Sequence, residues 1–163
     1  MDDETLALAK IFGQRLLERR RTFTCAESCT GGMLAAAITD VAGSSGWFER
    51  GFVTYSNESK MEMLGVSEEL LKREGAVSEA TARAMAEGAL AHSRADLAVS
   101  ITGIAGPGGA VPGKPVGTVC FAVTDRTGPA QVQTRHFDGD RAAVRRAATR
   151  FALQSALAWL AQH

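Results

Sequence analysis

The sequence is short of aromatic residues, cysteine, proline and lysine, and it carries no net charge. Aromatics make up 6% of the 163 residues, with a single tyrosine, so the core has to be built from aliphatic side chains and alanine. Lys plus Arg and Asp plus Glu each number 18. A balanced chain lacks the broad positive field of a nucleic-acid binder and the high net charge of a disordered chain. Its 45% hydrophobic content is enough for a real core. No apolar run approaches the ~20 residues that cross a bilayer, and the acidic start Asp2-Asp3-Glu4 is the opposite of a basic secretory leader. These absences imply a soluble, cytoplasmic protein with no membrane or direct nucleic-acid partner, folded as one domain over residues 1–163. The cysteines Cys25, Cys29 and Cys120 have no zinc spacing and read as buried or partly buried thiols in a reducing compartment. No metal and no cofactor is expected.

Hydrophobic periodicity divides the chain into alternating helices and strands. Residues 3–20 read as an amphipathic helix with Leu8, Phe12 and Leu16 on one face. Thr22 to Ala26 reads as a first strand, followed by a turn and a small-residue helix to Asp40. Phe52 to Tyr55 reads as a second strand, entered through Trp47-Phe48. Helical patterns follow after Ser56, after Ser67, and from Ser78 to about His92, with Ser78 as N-cap. Leu97–Thr102 is a third strand, running into a glycine-rich loop. Val116–Val123 and Gln131–Phe137 read as an antiparallel hairpin, and Asp138-Gly139-Asp140 caps a long last helix. The fold class is therefore α/β, layered, with a mixed sheet of about five strands.

Ligands of layered α/β folds gather at the carboxyl ends of strands. Three such ends carry unusual sequence: Ala26-Glu27-Ser28-Cys29-Thr30-Gly31-Gly32, Thr54-Tyr55-Ser56-Asn57-Glu58-Ser59-Lys60, and Thr102-Gly103-Ile104-Ala105-Gly106. In the first, a serine on a strand–turn–helix can attack a carbonyl while N–H groups of the turn hold the oxyanion. Ser28 or Thr30 as a plain helix cap fits the same residues. A nucleophilic serine needs a base. His92, His136 and His163 read as surface or structural histidines. The chain has only four lysines, and Lys60 follows the second strand on the side of the site. A desolvated lysine loses proton affinity and can serve as base, although a solvated helix position is the plainer reading of Lys60. Gly108 to Lys114 matches G-x-x-x-x-G-K, but Pro115 and a strand follow where a P-loop needs Ser or Thr and a helix. An ATPase is excluded on that ground.

These stretches, with Gly43–Lys60, Lys114–Val119 and the terminal F-x-G-D-R-x-x-V-R, resemble the CinA C-terminal domain family from about residue 5 to 160. Its stand-alone members are nicotinamide-nucleotide amidases. The resemblance implies a three-layer α/β/α fold and hydrolysis of nicotinamide mononucleotide to nicotinate mononucleotide and ammonia. It implies Ser28 as nucleophile, with Lys60 and Tyr55 beside it. By the same resemblance the glycine-rich segments supply substrate contacts at Thr30, Gly31, Gly32, Thr102, Gly103 and Gly106. Arg141 and Arg145, opening the last helix, are the phosphate candidates, or else part of a solvated helix face. The resemblance also implies a homo-oligomer, and no accompanying molybdopterin-type domain. A non-catalytic competence-associated binding module and an amidase for another small amide are the alternatives.

Overall fold

The structure, a computed structural model, describes residues 2–163. Its elements are α1 (Asp3–Glu18), β1 (Phe23–Glu27), α2 (Met33–Thr39), β2 (Phe48–Val53), α3 (Asn57–Leu64), α4 (Glu68–Glu74), α5 (Glu79–Ala91), β3 (Leu97–Gly103), β4 (Thr118–Asp125), β5 (Gln131–His136) and α6 (Arg141–Gln162). Short polar side chains start most helices. Asp2, Ser56, Ser67, Ser78 and Asp140 each accept a hydrogen bond from the backbone N–H three residues on.

The five strands form one sheet in the order β2-β1-β3-β4-β5. β2, β1 and β3 run parallel, and β4 and β5 are antiparallel additions. The sheet is thus mixed, and its C-terminal hairpin is the expected one. The second strand differs from the sequence reading. It spans Phe48–Val53 rather than 52–55, because Phe48 opposite Phe23 already pairs with β1 while the chain leaves the ladder after Val53 to reach the cap at Ser56.

Side chains alternate across the sheet and sort by size. Phe23, Cys25, Leu97, Val99, Ile101, Val119, Phe121 and Val123 meet α1, α2 and α6 in one core. Ala26, Ala98, Cys120 and Ala122 meet α3, α4 and α5 in the other. The result is three layers, α/β/α. The small-residue face lets α5 lie close on the sheet, where Ser100 donates to the Ala82 carbonyl at 2.6 Å. Gly88 allows a second close approach: a Cβ there would run into the Leu64 carbonyl at the end of α3. That contact sets where α3, and with it Lys60, sits against the sheet edge.

Candidate active site

Because β2, β1 and β3 are parallel, their carboxyl ends share one edge of the sheet. Ser28 is the first residue past β1, and it remains tied to the ladder by its N–H on the Ile101 carbonyl at 2.9 Å. Thr54, just past β2, is tied in the same way to Glu27 at 2.8 Å. The two chain exits are therefore held side by side. Beyond Ser28 the backbone turns through Gly31 and Gly32, both at positive φ, conformations that favour glycine, and enters α2.

Lys60 lies on the first turns of α3 and reaches back to this edge. Its side chain is buried, with the residue 1% exposed. Its Nζ contacts Ser28 Oγ at 3.0 Å, the Thr54 carbonyl at 2.9 Å and the Tyr55 carbonyl at 3.3 Å. The two carbonyls can only accept. A neutral amine, with two N–H groups and one lone pair, fits this set if both N–H groups go to the carbonyls and Ser28 donates its hydroxyl proton to nitrogen. Burial disfavours the ammonium form and lowers the Lys60 pKa from its ordinary value. Ser28 itself is 7% exposed and lines a cleft of about 260 Å³ with Lys60, Tyr55, Thr102, Gly103 and Arg141. The order of elements thus gathers a hydroxyl, an amine and a cleft from three separate chain exits.

Tyr55 contributes in a different way from the sequence reading. Its backbone carbonyl receives Lys60, while its phenol, on a residue 61% exposed, accepts from Arg141 Nη2 at 3.0 Å. No hydrogen bond joins the phenol to Lys60 or Ser28 among the described residues. Arg141 also donates to the Gly106 carbonyl at 2.9 Å, so it ties the tyrosine to the glycine-rich loop along the cleft. Thr102, Gly103 and Gly106 line that cleft.

Thr30, Gly31, Gly32 and Arg145 do not line it, and here the sequence reading needs correction. The Thr30 hydroxyl donates to Glu27 at 2.6 Å, the Gly32 N–H donates to Glu27 at 3.2 Å, and the Gly31 N–H donates to the Ser28 carbonyl at 3.0 Å. Those groups are spent inside the chain. Arg145 instead donates to the Cys29 and Thr30 carbonyls at 3.1 and 3.2 Å.

The residue that sequence reasoning missed is Glu27. It is buried at the end of β1, and its carboxylate also accepts from the N–H groups of Leu34 and Ala35, both at 3.0 Å. It thus fills the N-terminus of α2, where an anion is favoured. The signal was present: a carboxylate closing an otherwise uncharged strand has to find donors once buried. The adjacent thiols are unsuited to attack. Burial pushes Cys29 up to about 12, with the Glu27 carboxylate adding to the effect, and Cys25 is raised further by the same causes. Among the described residues no three His, Cys, Asp or Glu side chains come together as metal ligands, and no helix is long and apolar enough to cross a membrane.

Fold and site together define an α/β/α protein with a buried serine–lysine pair at the carboxyl edge of its parallel strands. The chain belongs to the CinA C-terminal domain family, whose model matches residues 5–160. It is 57% identical over 154 residues to the nicotinamide-nucleotide amidohydrolase PncC of Escherichia coli K12, covering 94% of this chain and 93% of that one. A CinA-like protein of Syntrophobacter fumaroxidans is 51% identical over 147 residues, which are 90% of this chain and 34% of that longer one. Among solved structures, the competence/damage inducible protein CihA of Agrobacterium tumefaciens superposes with a TM-score of 0.93 at 45% identity, covering 97% of this chain and 96% of that one. A CinA superfamily protein of Klebsiella pneumoniae superposes with a TM-score of 0.94 at 41% identity, covering 98% and 99%.

Proposed function

We propose that this chain hydrolyses the carboxamide of nicotinamide mononucleotide, giving nicotinate mononucleotide and ammonia through a serine acyl-enzyme. The observation that carries the mechanism is the 3.0 Å contact between Lys60 Nζ and Ser28 Oγ in a buried setting without a carboxylate partner for the amine. The substrate follows from the 57% identity to a nicotinamide-nucleotide amidohydrolase over nearly the whole of both chains.

The steps use only groups already described. Ser28 Oγ attacks the amide carbon as its proton passes to neutral Lys60 Nζ. The carbonyl oxygen becomes an oxyanion, met by N–H groups of the turn after Ser28. The C–N bond then breaks, and Lys60 returns the proton to the leaving nitrogen, which departs as ammonia. In the second half, water gives a proton to Lys60 and attacks the ester. Nicotinate mononucleotide leaves as Ser28 regains its hydrogen. The Thr54 and Tyr55 carbonyls keep the amine aimed at Ser28. Arg141, already on the cleft wall with two donors in use, can exchange the Tyr55 hydroxyl for the substrate phosphate.

Purified protein should release ammonia from nicotinamide mononucleotide and little from free nicotinamide, because phosphate and ribose contacts help position the amide. Equal rates on free nicotinamide would overturn the nucleotide reading, and ammonia only from some other pyridine amide would move the activity to that substrate.

A further inference from the structure

The turn carrying Ser28 holds more donors than an oxyanion needs, and the chain occupies most of them. Glu27 takes the N–H groups of Gly32, Leu34 and Ala35. The Ser28 N–H goes to Ile101 and the Gly31 N–H to Ser28. Between Ser28 and Gly32, among the described residues, only the N–H groups of Cys29 and Thr30 donate to no oxygen. Behind them sits Arg145, half-buried, with Nε 3.1 Å from the Cys29 carbonyl and Nη2 3.2 Å from the Thr30 carbonyl.

A peptide unit is planar and trans, so its C=O and N–H point in opposite directions. Holding the Cys29 carbonyl therefore fixes the direction of the Thr30 N–H. The Ser28 carbonyl, held by the Gly31 N–H, fixes the Cys29 N–H by the same geometry. A guanidinium on the carbonyl also polarises the peptide and makes its N–H a stronger donor. The planar fork suits this work, because it reaches two successive carbonyls at once.

Building on the serine-amidase reading above, we propose that Arg145 is a positioning residue: it aims and polarises the Thr30 N–H as an oxyanion donor, and it does not hold the substrate phosphate. This replaces the role read for Arg145 from the sequence with one that acts through the backbone.

Two readouts test it. The first is kcat and KM for nicotinamide mononucleotide in the wild type, Arg145→Met and Arg145→Lys. The second is the affinity of the same proteins for pyridine-3-boronic acid, followed by boron NMR. In that adduct Ser28 Oγ bonds to boron, the hydroxyl proton passes to Lys60, and boron becomes a tetrahedral anion without turnover. Arg145→Met should lose about 100-fold in kcat, the scale of one oxyanion donor, with KM changed less than about threefold. Boronate affinity should fall in parallel. Arg145→Lys should lie between, since one ammonium reaches one carbonyl.

A raised KM with unchanged kcat would make Arg145 a phosphate ligand and overturn the proposal. So would equal losses in both variants accompanied by loss of the folded near-UV spectrum. If the wild type binds boronate but does not act on the nucleotide, the substrate reading fails and the boronate affinities still decide Arg145. A wild type that takes up no boronate overturns the oxyanion donors themselves.

Discussion

Glu27 and Lys60 are buried at the same edge of the sheet, and the fold treats their charges in opposite ways. Glu27 receives three backbone N–H groups and a hydroxyl, a set of donors suited to a carboxylate. Lys60 receives two neutral carbonyls and the Ser28 hydroxyl, and burial lowers its pKa. One buried charge is fully solvated by the chain and locks a turn. The other is left short of compensation and is ready to exchange a proton. The lesson is that burial alone does not mark a catalytic group, since both are 1% exposed; the character of the partners separates the scaffold ion from the reactive one.

The sharpest break of this contrast is at the reacting atoms. Ser28→Ala removes the attacking oxygen, and turnover of nicotinamide mononucleotide should fall by about 10⁴-fold or more, with circular dichroism unchanged. Lys60→Ala should cost about 10³-fold, toward the upper part of the range for loss of a general base, and adding Ser28→Ala to it should cost little further. Additive losses in the double variant would show that the two residues do not act as one unit.

Glu27→Gln probes the other half. The amide keeps one acceptor oxygen but turns an N–H toward the donors of α2, so about 1–3 kcal/mol of stability should be lost in urea unfolding. Full stability in Glu27→Gln would mean that the carboxylate is not needed to hold the turn. Smallest of all should be Cys29→Ala. Its thiol is neutral at physiological pH, so kcat should stay within about tenfold of the wild type. A dead Cys29→Ala beside an active Ser28→Ala would invert the choice of nucleophile.

The Lys60 shift also has a consequence for stability. Its folded pKa is lowered, so between that value and the ordinary ~10.4 the unfolded chain binds more protons. Unfolding free energy should rise with pH across that window relative to Lys60→Met, which has no proton to exchange. A constant difference between the two proteins would argue against the shift.

Much of this was legible in the sequence because it depends on local pattern. Period-two strands, serine and aspartate caps, and three unusual strand exits follow from residue spacing, and they predict a layered α/β fold with a site at one edge. The resemblance then selected Ser28, Lys60 and Tyr55. What spacing could not supply was the partner of each polar group. The Tyr55 phenol turns to Arg141 while its carbonyl serves Lys60, and backbone partners leave no trace in side-chain identity. The Gly31-Gly32 N–H groups looked open because the acceptors, the Ser28 carbonyl and the Glu27 carboxylate, stand only a few residues away and their directions depend on the turn. The start of β2 was misjudged because Gly51 and Arg50 interrupt its apolar pattern at the sheet edge, where solvent tolerates them.

The account turns on Lys60 as the proton acceptor for Ser28, and the most direct test is kcat/KM for nicotinamide mononucleotide against pH in the wild type and in Lys60→Arg. Arginine keeps a positive charge there but cannot be deprotonated. The wild-type value should rise with pH through a midpoint below the ordinary lysine value of ~10.4, and a folded Lys60→Arg should be inactive at every pH. Near-native turnover by Lys60→Arg, with the wild-type pH profile retained, would contradict the account.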